Sequence, residues 1–387
     1  MFEKLNHHIK QYSPELKLLI RFSRNDQDSH EVPQHLSTEK FLNLLQRHKL
    51  ISIVYSNLAH TETGISATLR EKIKQKHSSN TKRNMNFLRE IILLSSQLNK
   101  QNIPHLFIKG PVLSQMLYND PLLKSSIDID ILTSFEHVEK LHALLSEAGY
   151  RMIYPSFDLN KTERNINYRI SHHYNFRHPE KQVNIELHWK LMNPGALLPI
   201  DFEELYKRSV EVDINQHKIR TMGKSDYLLY LAVHGSKHRW YSLGWLKDFS
   251  ELIRQASPEE FTSAFEKAEK FKLLKPFVQG NVLSHLLFKN PLDERIIKFY
   301  KRKPPERFII RALQAVKTPM EKIRSHKSGR LMYQFKLRND LRYWLTLLFR
   351  LRTHHSDWEA LRLPAWLFFL YYPLRPFLFL YRMYRDR

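Results

Sequence analysis

The run Ile127-Asp128-Ile129-Asp130-Ile131-Leu132 alternates apolar and acidic residues strictly, and it constrains the fold more than any other segment. In a strand, side chains at i and i+2 leave the same face, about 7 Å apart at the backbone. The spacing predicts a strand over 127–132 with Asp128 and Asp130 on one face and Ile127, Ile129 and Ile131 on the other. Its strongly apolar flanks place it inside a sheet rather than at the rim. Two carboxylates set side by side there repel each other and lose solvation. A divalent metal ion, or a pair of them, is the usual compensation.

The neighbouring segments supply the rest of a small sheet. Ile103-Pro104-His105-Leu106-Phe107-Ile108 reads as a strand entering a tight Lys109-Gly110-Pro111 turn. Pro111 suits the first position of a helix continuing through Leu113, Met116 and Leu117. Phe135 to Ala148 reads as a helix stopped by Gly149. Tyr168–Arg177 and Gln182–Trp189 alternate again and are expected as strands joined by a hairpin turn at 178–181. In the second, Val183, Ile185, Leu187 and Trp189 share one face, and Glu186 shares the other with Asn184 and His188. Glu186 would add a third carboxylate to Asp128 and Asp130, a set suited to two magnesium ions. His188 reads equally as a partner of Glu186 or as a satisfied core histidine.

Helix formers dominate elsewhere. A helix follows Ser37-Thr38-Glu39, and a longer one runs from Ala67 to about Asn99 with Ile73, Met85, Leu88, Ile91, Ile92 and Leu98 on its apolar face. Ser225-Asp226 can cap a helix reaching Trp240, and Leu243–Arg254 makes another. Only nine glycines are present, which argues against Gly-rich dinucleotide folds. The expected class is α+β, a small mixed β-sheet embedded between helical regions. The segments are an N-terminal helical region (1–100), the sheet-bearing core (101–222), a helical domain (223–317) and a basic, aromatic C-terminal region (318–387). Thr318–Arg330 is the candidate linker.

Sixty-two Lys and Arg against thirty-nine Asp and Glu, a formal charge of +23, favour an anionic partner. Without cysteine there is no disulfide, thiolate zinc site or cysteine nucleophile. The first thirty residues lack the apolar stretch of a signal peptide, so a cytoplasmic location is expected. No recognition helix, zinc finger or RNP motif accompanies the charge. His234 and His238 have metal-ligand spacing, but Gly235 stands where an H-E-x-x-H motif needs glutamate. Lys237, His238 or Arg239 is read as a contact to nucleotide or acceptor, with packing or surface solvation as the alternative, and Asp248 as a structural acid. His172-His173 and His354-His355 carry no clear ligand spacing.

Residues 358–387 interleave arginines with Trp366, Phe368, Phe369, Tyr371, Tyr372, Phe377, Phe379 and Tyr381. Arg375 and the prolines at 364, 373 and 376 weigh against a membrane span. The segment fits the interface of an anionic membrane, or a tail packed back on the protein.

The run Ile108-Lys109-Gly110, then Leu117-Tyr118-Asn119-Asp120-Pro121, then Asp128-Ile129-Asp130-Ile131-Leu132 resembles the uncharacterised bacterial nucleotidyltransferases of the DNA-polymerase-β superfamily. Glu186-Leu187-His188-Trp189 is similar to that family's acid-Leu-His-Trp strand. His234-Gly235, Lys237-His238, Trp240 and Trp245-Leu246-Lys247-Asp248 are similar to its downstream helical pattern. The resemblance spans roughly residues 40–290. It implies metal-dependent transfer of a nucleoside monophosphate from an NTP to an acceptor, with release of pyrophosphate. Asp128 and Asp130 would bind both metals, Mg²⁺ or Mn²⁺, and Glu186 the catalytic one while helping to activate the acceptor hydroxyl. Gly110 would let the backbone approach the triphosphate at the positive end of a helix, and Lys109 would neutralise phosphate charge. The wider superfamily usually has Gly-Ser or Gly-Gly in this turn. Pro111 has no donor, and Ser114, one turn on, is the candidate replacement. A glycan, sugar phosphate, protein or nucleic acid could be the acceptor. The rival is an inactive protein of the same fold that binds or scaffolds at an anionic membrane or nucleic acid; the complete acidic triad favours the enzyme.

Overall fold

Five short strands form a mixed sheet in this computed structural model, which describes residues 1–24, 32–33, 35–59, 64–319, 327–349 and 353–385. They are β1 (His105–Ile108), β2 (Ile129–Thr133), β3 (Arg151–Tyr154), β4 (His173–His178) and β5 (Val183–His188), in the order β1-β2-β5-β4-β3. β2 runs parallel to β5, and the other neighbours are antiparallel. β2 has a partner on each side, and all five of its residues are buried, as its apolar flanks imply.

β2 starts later than the alternation suggests. Ile127 is 53% exposed and Asp128 lies on the bend ahead of the strand. The cause is β1, whose pairing ends at Ile108↔Asp130 because the chain turns away at Lys109 with φ 64. Residues 127 and 128 have no partner strand on that side.

Tyr168 to Arg177 is the larger departure. Lys161–Ile170 is a helix, started by a capping box between Asn160 and Glu163, and the strand begins only at His173. Tyr168 and Ile170 are both buried on that helix, so their period-two spacing does not mark a strand face. β6 (Val210–Ile214) and β7 (His217–Thr221) form a hairpin that has no Gly at its turn. Asn215 and Gln216 take positive φ instead, which hid it from the usual turn signal. The helix expected after Ser225-Asp226 starts at Lys224, and Asp226 pairs with Arg208 and Lys267 rather than capping it.

The helix Ala67–Lys100 is as long as expected, but Met85 points outward. Asn84 faces inward in its place and donates to the carbonyls of Leu122 (2.9 Å) and Lys124 (2.6 Å), fastening the loop that leads to β2. One apolar core joins the N-terminal helices to the helices after residue 223 and reaches the sheet at Leu106, Ile108 and Leu132. A second covers the opposite sheet face and takes in Trp358, Phe368, Tyr371 and Leu378. The apolar cores thus run across the segment boundaries drawn from the sequence.

The C-terminal region packs back on the protein. Asp357, fully buried, accepts a hydrogen bond from Arg375 (3.0 Å) and forms an ion pair with Arg382 (2.9 Å) beside the buried Trp358. No described helix is long and apolar enough to cross a membrane. Most of the expected linker, and Arg350 and Arg352, lie outside the described residues.

Candidate active site

Asp130 on β2 sits directly opposite Glu186 on β5. His188, two residues further along β5, leaves the same face, and its Nε2 lies 3.0 Å from Asp130 Oδ1 and 3.2 Å from Glu186 Oε2. Donor atoms of these three side chains fall within 4.8 Å of one another. Lys109 reaches in from the turn after β1, its Nζ 2.6 Å from Asp130 Oδ1 and above the Tyr230 ring. Asp128 lines the same cleft as Asp130. The structure therefore brings all three expected acids to one side of the sheet.

Their electrostatics differ. Burial, followed by repulsion from Asp130 and Glu186, pushes the Asp128 carboxyl up to about 7. Burial would raise Asp130 too, but Lys109 and His188 hold it well below the usual carboxylate range. Burial opposes charge on His188 as well; its hydrogen bonds to Asp130 and Glu186 outweigh that and favour the imidazolium. Behind it, His172 and His173 are pressed toward the neutral form by burial, His173 to about 4. Nitrogens of His172, His173 and His188 also come within 4.8 Å of one another, a meeting that their sequence spacing did not signal.

The cleft wall opposite the acids is basic and aromatic, with Lys49, Lys124, Tyr230, His234 and Trp245. Lys124 pairs with Asp248, which also accepts from the Tyr118 hydroxyl at 3.0 Å, so the expected structural role of Asp248 is to hold this lysine. Lys109 and Gly110 both take positive φ (64 and 52) and open the helix Gly110–Tyr118 at the cleft. For lysine that conformation is strained, and the Lys109 N–H is fixed by the Tyr227 hydroxyl at 3.3 Å.

Ser114 does not reach the cleft. It is fully buried, donates to the Asp120 carbonyl (2.6 Å) and accepts from the Lys124 N–H (3.0 Å), which ties down the 120–124 loop. Lys237 lies close enough to His172 and His234 to disfavour their protonation. The His238 ring packs behind His234 and Trp245, at 4.8 and 5.4 Å between centroids. Neither lines the cleft itself: they follow the cleft-lining His234, in the last turn of the helix Lys224–Lys237 and the residue after it. Lys49 and Tyr230 were not expected. Nothing local marks them, because their placement depends on how distant helices pack.

A mixed sheet with carboxylates on adjacent inner strands, facing a basic cleft at a helix N-terminus, defines the class as nucleotidyltransferase-like. More narrowly, the chain belongs to the family of uncharacterised nucleotidyltransferases, which it matches over residues 34–289. Among solved structures it is similar to an antigenic nucleotidyltransferase-like protein from Paracoccidioides brasiliensis. That match has 15% identity, a TM-score of 0.29, and coverage of 52% of this chain and 96% of the other. No curated protein matches the chain.

Proposed function

We propose that the chain is a metal-dependent nucleotidyltransferase that moves a nucleoside monophosphate from an NTP to an acceptor hydroxyl. Family membership supports nucleotidyl transfer in general. The observation that carries the finer reading is the register of Asp130 with Glu186, with Asp128 in the same lysine-lined cleft. In the reaction, the acceptor oxygen bonds to the α-phosphorus, the bond to the β-phosphate oxygen breaks, and pyrophosphate leaves.

The donor set fits Mg²⁺ or Mn²⁺: three carboxylates, one of them held partly protonated by burial and by its acidic neighbours, are hard oxygen ligands. Asp128, Asp130 and Glu186 would hold the metal, which when bound neutralises charge developing on the phosphates. Glu186 is more open than Asp130, at 26% against 3% exposure, and would take the acceptor's proton. His188 keeps the two acids in fixed orientation. Lys109 neutralises phosphate charge from the turn, and Lys237 and His238 border the bound nucleotide or acceptor.

Titration of ATP, GTP, CTP and UTP with and without Mg²⁺ tests this directly. Metal-dependent binding of at least one is expected. No binding of any would overturn the proposal in favour of an inactive protein of this fold that binds or scaffolds.

Protons should compete with metal at Asp128. Below about pH 7 its carboxyl is neutral, so metal affinity should fall roughly tenfold per pH unit on acidification. Free Mn²⁺ followed by electron paramagnetic resonance between about pH 5.5 and 8 would measure this. A flat profile would contradict the reading of Asp128 as a ligand.

The proposal places the protein in the cytoplasm, with peripheral contact to anionic membrane through residues 358–387. The C-terminal helix Tyr371–Arg385 buries Tyr371 and Leu378, yet Phe377, Leu380 and Tyr384 leave a different face, at 69%, 62% and 83% exposure. Trp366, at 75%, projects from the turn before it. Aromatic side chains flanked by arginines suit a lipid interface. Replacing Trp366, Phe377 and Leu380 by Ser should weaken flotation with anionic vesicles by more than about tenfold while the melting temperature holds. Unchanged flotation would count against membrane contact.

A further inference from the structure

Three lysines line the cleft beside Asp128 and Asp130, and two already have acidic partners: Lys109 pairs with Asp130 and Lys124 with Asp248. Lys49 forms no ion pair among the described residues, although burial works against its charge and only the more distant Asp128 and Asp130 favour it.

Its position is fixed from behind. His48 is fully buried; its carbonyl accepts from the Gly244 N–H (2.9 Å) and the Ser242 hydroxyl (3.3 Å), and its Nδ1 accepts from the Leu243 N–H (3.2 Å). Gly244 is needed for this approach, since a Cβ there would lie 2.7 Å from the His48 carbonyl oxygen. Lys49 follows with φ 58, held at the start of the helix Leu243–Gln255.

A second group points to the same spot. Ser126 lines the cleft, is 5% exposed, and its buried hydroxyl has no hydrogen-bond partner among the described residues. That oxygen lies 3.3 Å from where a Cβ on Gly110 would be, so the bare glycine leaves the space beside it clear. Pro111, next in the chain, brings no N–H to the helix N-terminus. A half-buried cation and a buried hydroxyl, both unpaired among the described residues, thus flank an N-terminus that is one donor short.

We infer that Lys49 and Ser126 form the polyphosphate-binding site of this cleft, with the Lys49 ammonium and the Ser126 hydroxyl donating to non-bridging phosphate oxygens above Gly110. The inference rests on the nucleotidyltransferase reading for its physiological ligand, an NTP, but it concerns the phosphate chain alone. In this arrangement the hydroxyl that the Gly110-Pro111 turn cannot supply comes from Ser126, on the far side of the glycine. The charge comes from a residue well upstream of the sheet.

Isothermal titration with inorganic tripolyphosphate, Mg-NTP and the matching nucleoside monophosphate, on the full chain, tests it. Lys49→Gln should weaken tripolyphosphate and Mg-NTP binding by about 10- to 100-fold, and Ser126→Ala by about tenfold. Monophosphate affinity and the melting temperature of both variants should stay near wild type. Lys49→Arg should restore part of the loss, which a purely structural role would not explain. Unchanged tripolyphosphate affinity in Lys49→Gln and Ser126→Ala overturns the assignment even if Mg-NTP binds tightly. Wild-type protein that binds tripolyphosphate but no NTP keeps the assignment and removes the nucleotidyltransferase reading. Wild-type protein that binds neither removes both.

Discussion

Asp128→Asn is expected to abolish measurable turnover while leaving the fold as stable as wild type, or slightly more so. Removing one charged ligand withdraws several kcal/mol of charge stabilisation in the transition state, about a thousandfold in rate. Stability responds differently, because burial and the neighbouring acids already press Asp128 toward its neutral form. Asparagine has nearly that shape and no charge to repel Asp130 and Glu186. The sign of the pH dependence follows. A carboxyl raised from 3.8 to about 7 on folding stabilises the metal-free protein fully below the lower value and loses that contribution as pH rises through the upper one. Asp128→Asn should therefore flatten the fall in melting temperature between about pH 4 and 7. Asp130→Asn is the informative contrast. It leaves the buried His188 and the half-buried Lys109 without the carboxylate they share, a loss of about 3–5 kcal/mol. Turnover and thermal melts on both variants separate the two roles. An Asp128→Asn protein that stays active would remove the metal assignment.

A large effect on stability is also expected at Gly235→Ala. An alanine in a helix interior ordinarily gains about 1 kcal/mol over glycine. Here the new Cβ would lie 2.3–2.5 Å from three ring atoms of Trp240. The indole cannot retreat, because it is fully buried, and a Cβ at Gly280 on the opposite side would already come within 3.1 Å of it. Arg239 and Trp240 both take positive φ to fold the ring back over its own helix, with the Trp240 N–H on the Gly235 carbonyl at 2.7 Å. Overpacking should cost about 3 kcal/mol or more, reversing the usual sign. Urea denaturation would measure it, and a midpoint at or above wild type would show that the indole can leave its slot. His234 lies one residue before Gly235 and lines the cleft, so nucleotide affinity should fall as well.

The candidate site was largely legible in the sequence because its acids sit in short alternating runs, where strand geometry alone assigns a face. That logic placed Asp130 and Glu186 on the cleft side of the sheet, and the apolar flanks of β2 announced its inner position. It misplaced the start of β2, since the length of β1 depends on where Lys109 turns. It failed at Tyr168–Ile170, where a capping box eight residues upstream of Tyr168 had already started a helix, so that period-two spacing was accidental. Lys49, Ser126 and Tyr230 were beyond reach for a different reason. Each belongs to the cleft only because an N-terminal helix, a loop and a later helix converge there. His172 and His173 likewise met His188 through pairing of β4 with β5, not through any spacing along the chain.

The Lys109–Asp130 contact bears on how such a cleft is filled. A lysine already rests on the most buried acid, so this part of the acidic cluster does not need an added ion to become tolerable within the fold. Loading with metal and triphosphate would then be an exchange of cations, in which the ammonium leaves one anion for another as the incoming ion takes its place. An exchange of that kind makes the two ligands cooperative. Lys109 would give up Asp130 more readily where phosphates offered its ammonium a new partner than where none were present. The protein would in effect recognise the metal–nucleotide complex as a unit, and free divalent ion would be a poor competitor for the same place.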